Sequence, residues 1–173
     1  MKNMKKIFVL IILFSGIVAS SFAQSNGASI TATSTATIIT PISIVKAVDM
    51  AFGNIAISAT AGTVALPPAS SPNRIPTGGV TLPAIAGTVT AALFDVTGAA
   101  STTYAITLPI IASQLSSGSD HMNIDAFLSD IGLTGTLSVG GTQSFYVGST
   151  IHVAAAQPAG TYSGTFDVTV NYN

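Results

Sequence analysis

Residues Gly160 to Asn173, GTYSGTFDVTVNYN, decide the fold class. Tyr162, Phe166, Val168, Val170 and Tyr172 alternate with Thr161, Thr165, Asp167, Thr169 and Asn171, so an extended chain places the apolar set on one face and the polar set on the other. Period two, held from residue 161 to 172, predicts a β-strand. The aromatic face of such a strand has to be covered by the rest of the protein, or by another chain, because left in water it would template aggregation.

Working back from this segment, the same kind of short alternating run recurs. The runs are rich in Thr, Val, Ile and Ala and are separated by Gly, Pro, Ser or Asn. Strands are predicted at 28–38, 42–48, 51–57, 63–66, 79–82, 88–96, 103–108, 121–128, 135–139, 143–147, 149–154 and 161–172. Turns are predicted at Gly62, Gly78-Gly79, Gly87, Gly98, Gly118, Gly140-Gly141, Gly148 and Pro158 to Gly160. Pro67 to Pro76 contains four prolines and reads as an exposed loop. The one helix-compatible stretch, Asp120 to Ile131, alternates Met122, Ile124, Ala126 and Leu128 and therefore also reads as a strand. Many short strands without intervening helices predict an all-β protein, an immunoglobulin-like or pilin-like antiparallel β-sandwich. There is no internal repeat and no linker that would divide the chain.

At the other end, Lys2, Lys5 and Lys6 precede an apolar run from Ile7 to Val18 and the small-residue site Ser21-Phe22-Ala23. This is the layout of a secretory signal peptide spanning residues 1–23, too short to serve as a membrane span. Export to the periplasm, cell surface or extracellular space is expected, with residues 24–173 forming one sandwich domain. About 150 residues suffice for a real core. Cysteine is absent, so packing and not disulfides must hold the fold. After removal of the signal peptide only Lys46 and Arg74 remain as cations, against six aspartates and no glutamate. Two cations cannot neutralise a run of phosphates, which excludes nucleic acid as a partner.

The residue types that carry catalysis are scarce. His121 and His152 are the only histidines, and neither lies in a local ligand motif such as H-x-x-x-H or H-E-x-x-H. His152, between Ile151 and Val153, is predicted to face outward from its strand, and His121 follows Asp120 at a loop edge. A nucleophilic serine paired with either histidine would lack a Gly-x-Ser-x-Gly elbow. Asp120, Asp125 and Asp130 are five apart, so they alternate faces on a strand, and the calcium loop with its terminal glutamate is missing. The expectation is a protein that is not an enzyme and has no catalytic residue, cofactor or metal.

Several phrases carry a family resemblance. Gly160, the alternating positions after it and the penultimate Tyr172 resemble the C-terminal strand of chaperone–usher pilins. The phrase Val48 to Asn54, VDMAFGN, is similar to an early stretch of spore coat U pilin-like domains. The pieces at Ala36–Ile44, Phe52–Ile57, Thr77–Leu82, Thr103–Pro109 and the C-terminal strand together resemble the secreted family catalogued as domain of unknown function 4402, over nearly the whole exported chain. The pilin resemblance implies that Gly160, Tyr162, Phe166, Val168, Val170 and Tyr172 contact a periplasmic chaperone and later a neighbouring subunit. It also implies that residues 24–40, with Ala28, Ile30, Ala32, Ala36 and Ile38 on one face, are an N-terminal donor strand for the next copy or a related subunit.

Two functions remain open at this level: a fimbrial structural or adhesive subunit assembled through β-strand complementation, or a self-complete module that binds a glycan or other surface ligand. In the second case residues 28–38 pair within their own sheet. Export itself is directly testable: the intact mass of the protein recovered outside the cytoplasm should correspond to a chain beginning at Gln24, and a mass retaining Met1 would contradict the signal peptide.

Overall fold

A computed structural model describes residues 27–173, and the expected signal peptide lies outside the described residues. Residues 27–37 carry no strand, and each of them is exposed. The predicted strand at 28–38 is therefore not formed in the isolated chain. Residues 38–173 hold ten strands and, among the described residues, no helix. In chain order the strands are β1 (Ser43–Val48), β2 (Gly62–Leu66), β3 (Ile75–Gly78), β4 (Ala92–Thr97), β5 (Thr103–Thr107), β6 (Ser113–Ser117), β7 (Asp120–Ser129), β8 (Thr134–Thr136), β9 (Thr142–Val153) and β10 (Thr169–Tyr172).

The larger sheet is organised by β9. Its first half pairs with β4, from Thr97↔Thr142 to Ala92↔Val147, and its second half pairs with β2, from Leu66↔Ser149 to Gly62↔Val153. Val147 also faces Ser129, and Ile151 also faces Ile124, so β7 occupies the opposite edge of β9. β1 then adds to β4, β3 to β2 and β6 to β7, all antiparallel. The smaller sheet has the order β10-β5-β8 and is likewise antiparallel. The all-β sandwich expected from alternation is the fold observed.

Gly148 explains why β9 is one strand where two were predicted. A Cβ at this position would lie 2.1 Å from the carbonyl oxygen of Leu66, so the residue is glycine because a neighbouring backbone passes close to it, not because the chain turns. Opposite this point β7 has a bulge, with a register shift between Asp125 and Leu128 and Ala126 at φ +50°. The extra residue turns Phe127 into the core and Leu128 out to solvent.

The core lies between the two sheets. Phe94, Val96, Phe145, Val147 and Ile151 of the larger sheet are buried, as are Tyr104, Ile106 and Val170 of the smaller one. Phe94 stacks on Phe145 with ring centroids 5.6 Å apart. Tyr104 is fully buried, so its hydroxyl needs a partner: it donates to Gln143 Oε1 at 2.8 Å, and the same oxygen accepts the Thr136 amide at 2.8 Å. Burial, assisted by the negative charge of Asp130, holds the Tyr104 phenol above its usual pKa.

Other departures from the predicted strands have local causes. The stretch 51–57 contributes only the single bridges Ala51↔Thr90 and Ala56↔Thr81, and the second of these is all that forms of the strand predicted at 79–82. Its backbone is held instead by Arg74, whose Nη1 donates to the carbonyls of Phe52 at 2.7 Å and Asn54 at 2.6 Å. Between these two residues Gly53 takes φ +67°, where a Cβ would lie 2.2 Å from the Ala86 carbonyl oxygen. β3 falls in the segment read as a proline loop. Pro76 is accommodated there because β3 is an edge strand with a single ladder, to β2. β6 was not anticipated, since Ser113 to Ser117 has one apolar residue, Leu115, and no alternation. Of the long C-terminal strand only Thr169–Tyr172 joins a ladder.

The centre of β9 sets the stability of the whole. Phe145→Ala should cost about 3–5 kcal/mol in a denaturant titration, because the cavity would open beside Phe94 within the β4–β9 ladder. A loss below about 1 kcal/mol would contradict this placement of the core.

Candidate functional site

A sandwich of two open sheets has edges, and natural proteins blunt edges with lysine, proline, bulges or brevity. β3 has four residues and carries Pro76. β8 has three residues. β1 carries Lys46, which is ion-paired with Asp49, and its ladder shifts register between Lys46 and Val48. β6 is capped by a bridge in which the Ser116 amide donates to Ser163 at 2.8 Å and the Ser163 amide donates back at 3.0 Å. β10 is as short as β3 but has none of the other devices. It pairs with β5 only, and neither it nor residues 165–168 before it contain lysine, proline or a bulge.

The apolar residues of this C-terminal segment share one face although most of the segment is outside any ladder. Tyr162, Phe166, Val168 and Tyr172 are half-buried and Val170 is buried, whereas Thr165, Asp167, Thr169 and Asn171 are exposed. Phe166 packs at 4.8 Å from the ring of Phe127 and at 6.4 Å, edge to face, from Phe94. At the end of the segment the Tyr172 hydroxyl accepts the Ala99 amide at 2.6 Å and donates to the carbonyl of Thr40 at 2.8 Å. At its start, a side chain on Gly160 would meet Ser117 Oγ at 2.5 Å. The Tyr162 hydroxyl donates to the Pro158 carbonyl at 2.8 Å and accepts from Gln157 Nε2, also at 2.8 Å. Backbone pairing therefore holds the segment at its two ends, by the single Ser116↔Ser163 bridge and the β10–β5 ladder, and side-chain packing with these tyrosine bonds positions what lies between.

Ala28, Ile30, Ala32, Ala36 and Ile38, the residues expected on one face of a donor strand, are all exposed and belong to no strand; Ile30 is 98% exposed and Ile38 97%.

A second feature is a cleft of about 520 Å³ on the outer face of the larger sheet, lined by Thr63, Thr77, His121, Asn123, His152 and Gln157 among others. Asn123 faces His152 across the β7–β9 ladder, and His152 faces Thr63 across β9–β2. His152 Nε2 lies 2.8 Å from Asp125 Oδ1, and His121 Nδ1 lies 3.0 Å from Ser116 Oγ. Behind the cleft, buried Gln157 donates from Nε2 to the carbonyl of His121 at 3.1 Å and accepts the Ala154 amide at 3.2 Å. Local motif reasoning missed that both histidines line one cleft. The signal was present in the flanking residues: Met122 and Ile124, like Ile151 and Val153, face inward, so the intervening polar residues face outward.

Compared with known proteins, residues 42–172 match the model of a family described as Domain of unknown function (DUF4402). No curated protein and no solved structure matches the chain.

Tyr172 ties the C-terminal segment to two other parts of the molecule. Tyr172→Phe removes both hydrogen bonds and leaves the half-buried Ala99 amide without its partner, so a loss of about 1–3 kcal/mol is expected in thermal or denaturant unfolding. Unchanged stability would mean that water replaces the hydroxyl at no cost.

Proposed function

The chain belongs to the DUF4402 family, and with that as the premise we propose that it is an exported, non-enzymatic, pilin-like subunit with a structural or adhesive role, assembled through β-strand complementation. The observation that carries the reading is the contrast between the edges. β1, β3 and β6 carry lysine, proline or a capping bridge and β8 is cut to three residues, whereas β10, itself only four residues long, and residues 165–168 before it carry no lysine, proline or bulge and present a half-buried apolar face. An added strand would supply ladder hydrogen bonds and cover Phe166, Val168 and Tyr172 together.

The same chain offers a segment of the right kind. Residues 28–38 alternate apolar and hydroxyl side chains, are exposed and form no strand of their own. Inserted beside the C-terminal segment of a second copy, Ile30 and Ile38 would be the two large contacts, with Ala32 and Ala36 between them. A periplasmic chaperone would protect the same edge before assembly, and related subunits could replace identical copies. Two histidines, two exported cations and no glutamate support a role without catalysis. A surface of hydroxyls and amides with little charge also opposes association only weakly.

The test compares the exported chain with a form lacking residues 24–38. The full chain should form concentration-dependent oligomers in light scattering. The shortened form should be monomeric and melt at a lower temperature in the absence of oligomers, and a peptide of residues 24–38 should raise its melting temperature. If the shortened form is as stable and as monomeric as the full chain, and the peptide changes nothing, strand complementation is wrong.

A further inference from the structure

We infer that the outer face of the larger sheet binds an uncharged glycan, laid across the strands. The observation behind this is a row of polar side chains. Gln114 of β6 faces Asn123 of β7, Asn123 faces His152 of β9, His152 faces Thr63 of β2, and Thr63 faces Thr77 of β3. Residues directly opposite one another in a ladder point to the same side. Here that side is outward: Gln114, Asn123, His152 and Thr77 are exposed and Thr63 is half-buried. With strands about 4.8 Å apart, the row is about 19 Å long.

Most of the row lies in the cleft of about 520 Å³, and Gln114 continues it beyond. Ala61, Gly62, Gly78 and Ala154 line the same cleft, and such small residues leave room above the sheet. The polar groups are set for a ligand of mixed donors and acceptors. The hydroxyls of Thr63 and Thr77 lie 2.6 Å apart, so each fixes the other, and the accepting one keeps its own proton to donate outward. Asp125 Oδ1 at 2.8 Å holds Nε2 of His152 and leaves Nδ1 for a ligand. The exposed carboxamides of Asn123 and Gln114 each bring both a donor and an acceptor. Gln157 pins one wall by donating to the His121 carbonyl and accepting the Ala154 amide.

The lining chooses the class of ligand. It includes no lysine or arginine, and Lys46 and Arg74 are engaged elsewhere, with Asp49 and with the carbonyls of Phe52 and Asn54, so an anion finds no counter-charge. Among the described residues no three His, Cys, Asp or Glu side chains form a cation cage. An apolar ligand would strip water from the row and return no hydrogen bonds. A neutral glycan exchanges its bonds to water for bonds to the row. Each sugar unit of an extended glycan advances by about one strand spacing, so successive strands meet successive units and the row takes about four. The lining has no phenylalanine or tyrosine to stack on a sugar face, so hydrogen bonds carry the binding and affinity per chain is low. Copies repeated along a fibre would multiply it. That gain rests on the assembly proposed above, whereas the site itself does not.

The experiment titrates the full exported chain with neutral oligosaccharides of the cello-, malto-, manno- and chito- series, from monomer to hexamer, and reads amide and side-chain NMR shifts. Oligogalacturonate and chitosan oligomers are the acidic and basic controls. Saturable shifts are expected with at least one neutral series, centred on residues 63, 77, 114, 123 and 152, with affinity rising up to the tetramer and then levelling. Asn123→Ala and Thr63→Val should each lower affinity about threefold to tenfold, as loss of one hydrogen bond does. Both positions are on the outer face, so unchanged melting temperatures will show that the variants are folded. No saturable shift with any neutral series, shifts centred away from the row, affinity indifferent to both variants, or equal binding of a charged control would overturn the site. The readout is on single chains: binding without polymerisation would sink only strand complementation, and polymerisation without binding only this site.

Discussion

The strand β9 is the constraint on which the rest depends. It is twelve residues long; one edge is occupied along nearly its whole length by β4 and β2, and the other by β7 from Val147 to His152. No other strand joins so many elements. A strand laddered in this way cannot slip by one residue without turning Phe145, Val147, Ile151 and Val153 out to solvent together, so its register fixes that of its three neighbours. The close approach at Gly148 follows from the same arrangement, because two different strands meet end to end along one edge of β9 at that point.

Much of this was legible in the sequence because period two survives wherever one face is buried. The C-terminal alternation is a good case: the predicted apolar and polar faces from 162 to 172 are the faces found, even though only the last four residues are laddered. Side-chain burial and backbone pairing are separate physical facts, and periodicity reports only the first. The same distinction explains 28–38, where alternation exists without a partner, and β6, where a partner exists without alternation. Gly148 and Pro76 misled for a further reason. Each residue type has two structural uses, turn or close approach for glycine and loop or sheet edge for proline, and only a neighbouring strand decides between them.

The features with functional meaning were less legible. The apolar residues of the C-terminal edge could be named from sequence, but that β10 lacks the lysine, proline or capping bridge of β1, β3 and β6 is a comparison among edges, and it needs the pairing order. The cleft is long-range in the same sense. Neither histidine has a neighbour in sequence that suggests a shared cleft, and the ladder Asn123↔His152 is what places both in its lining. The phrase at Phe52-Gly53-Asn54, which stood out as a family signature, has a structural explanation in the clasp made by Arg74.

The two hydrogen bonds of the Tyr172 hydroxyl have a mechanical meaning. Thr40 marks where the N-terminal segment leaves β1, and Tyr172 ends the strand whose edge is free, so one phenol joins the point of departure to the point of attachment. In a fibre assembled by complementation, tension would enter each subunit at Thr40 and leave it along β10. The load would then cross the molecule near one side chain instead of through its whole core. Because ladder hydrogen bonds run perpendicular to the strands, pulling along β10 would strain its bonds to β5 in shear and together, the direction in which such a ladder resists most, and not one at a time as in peeling.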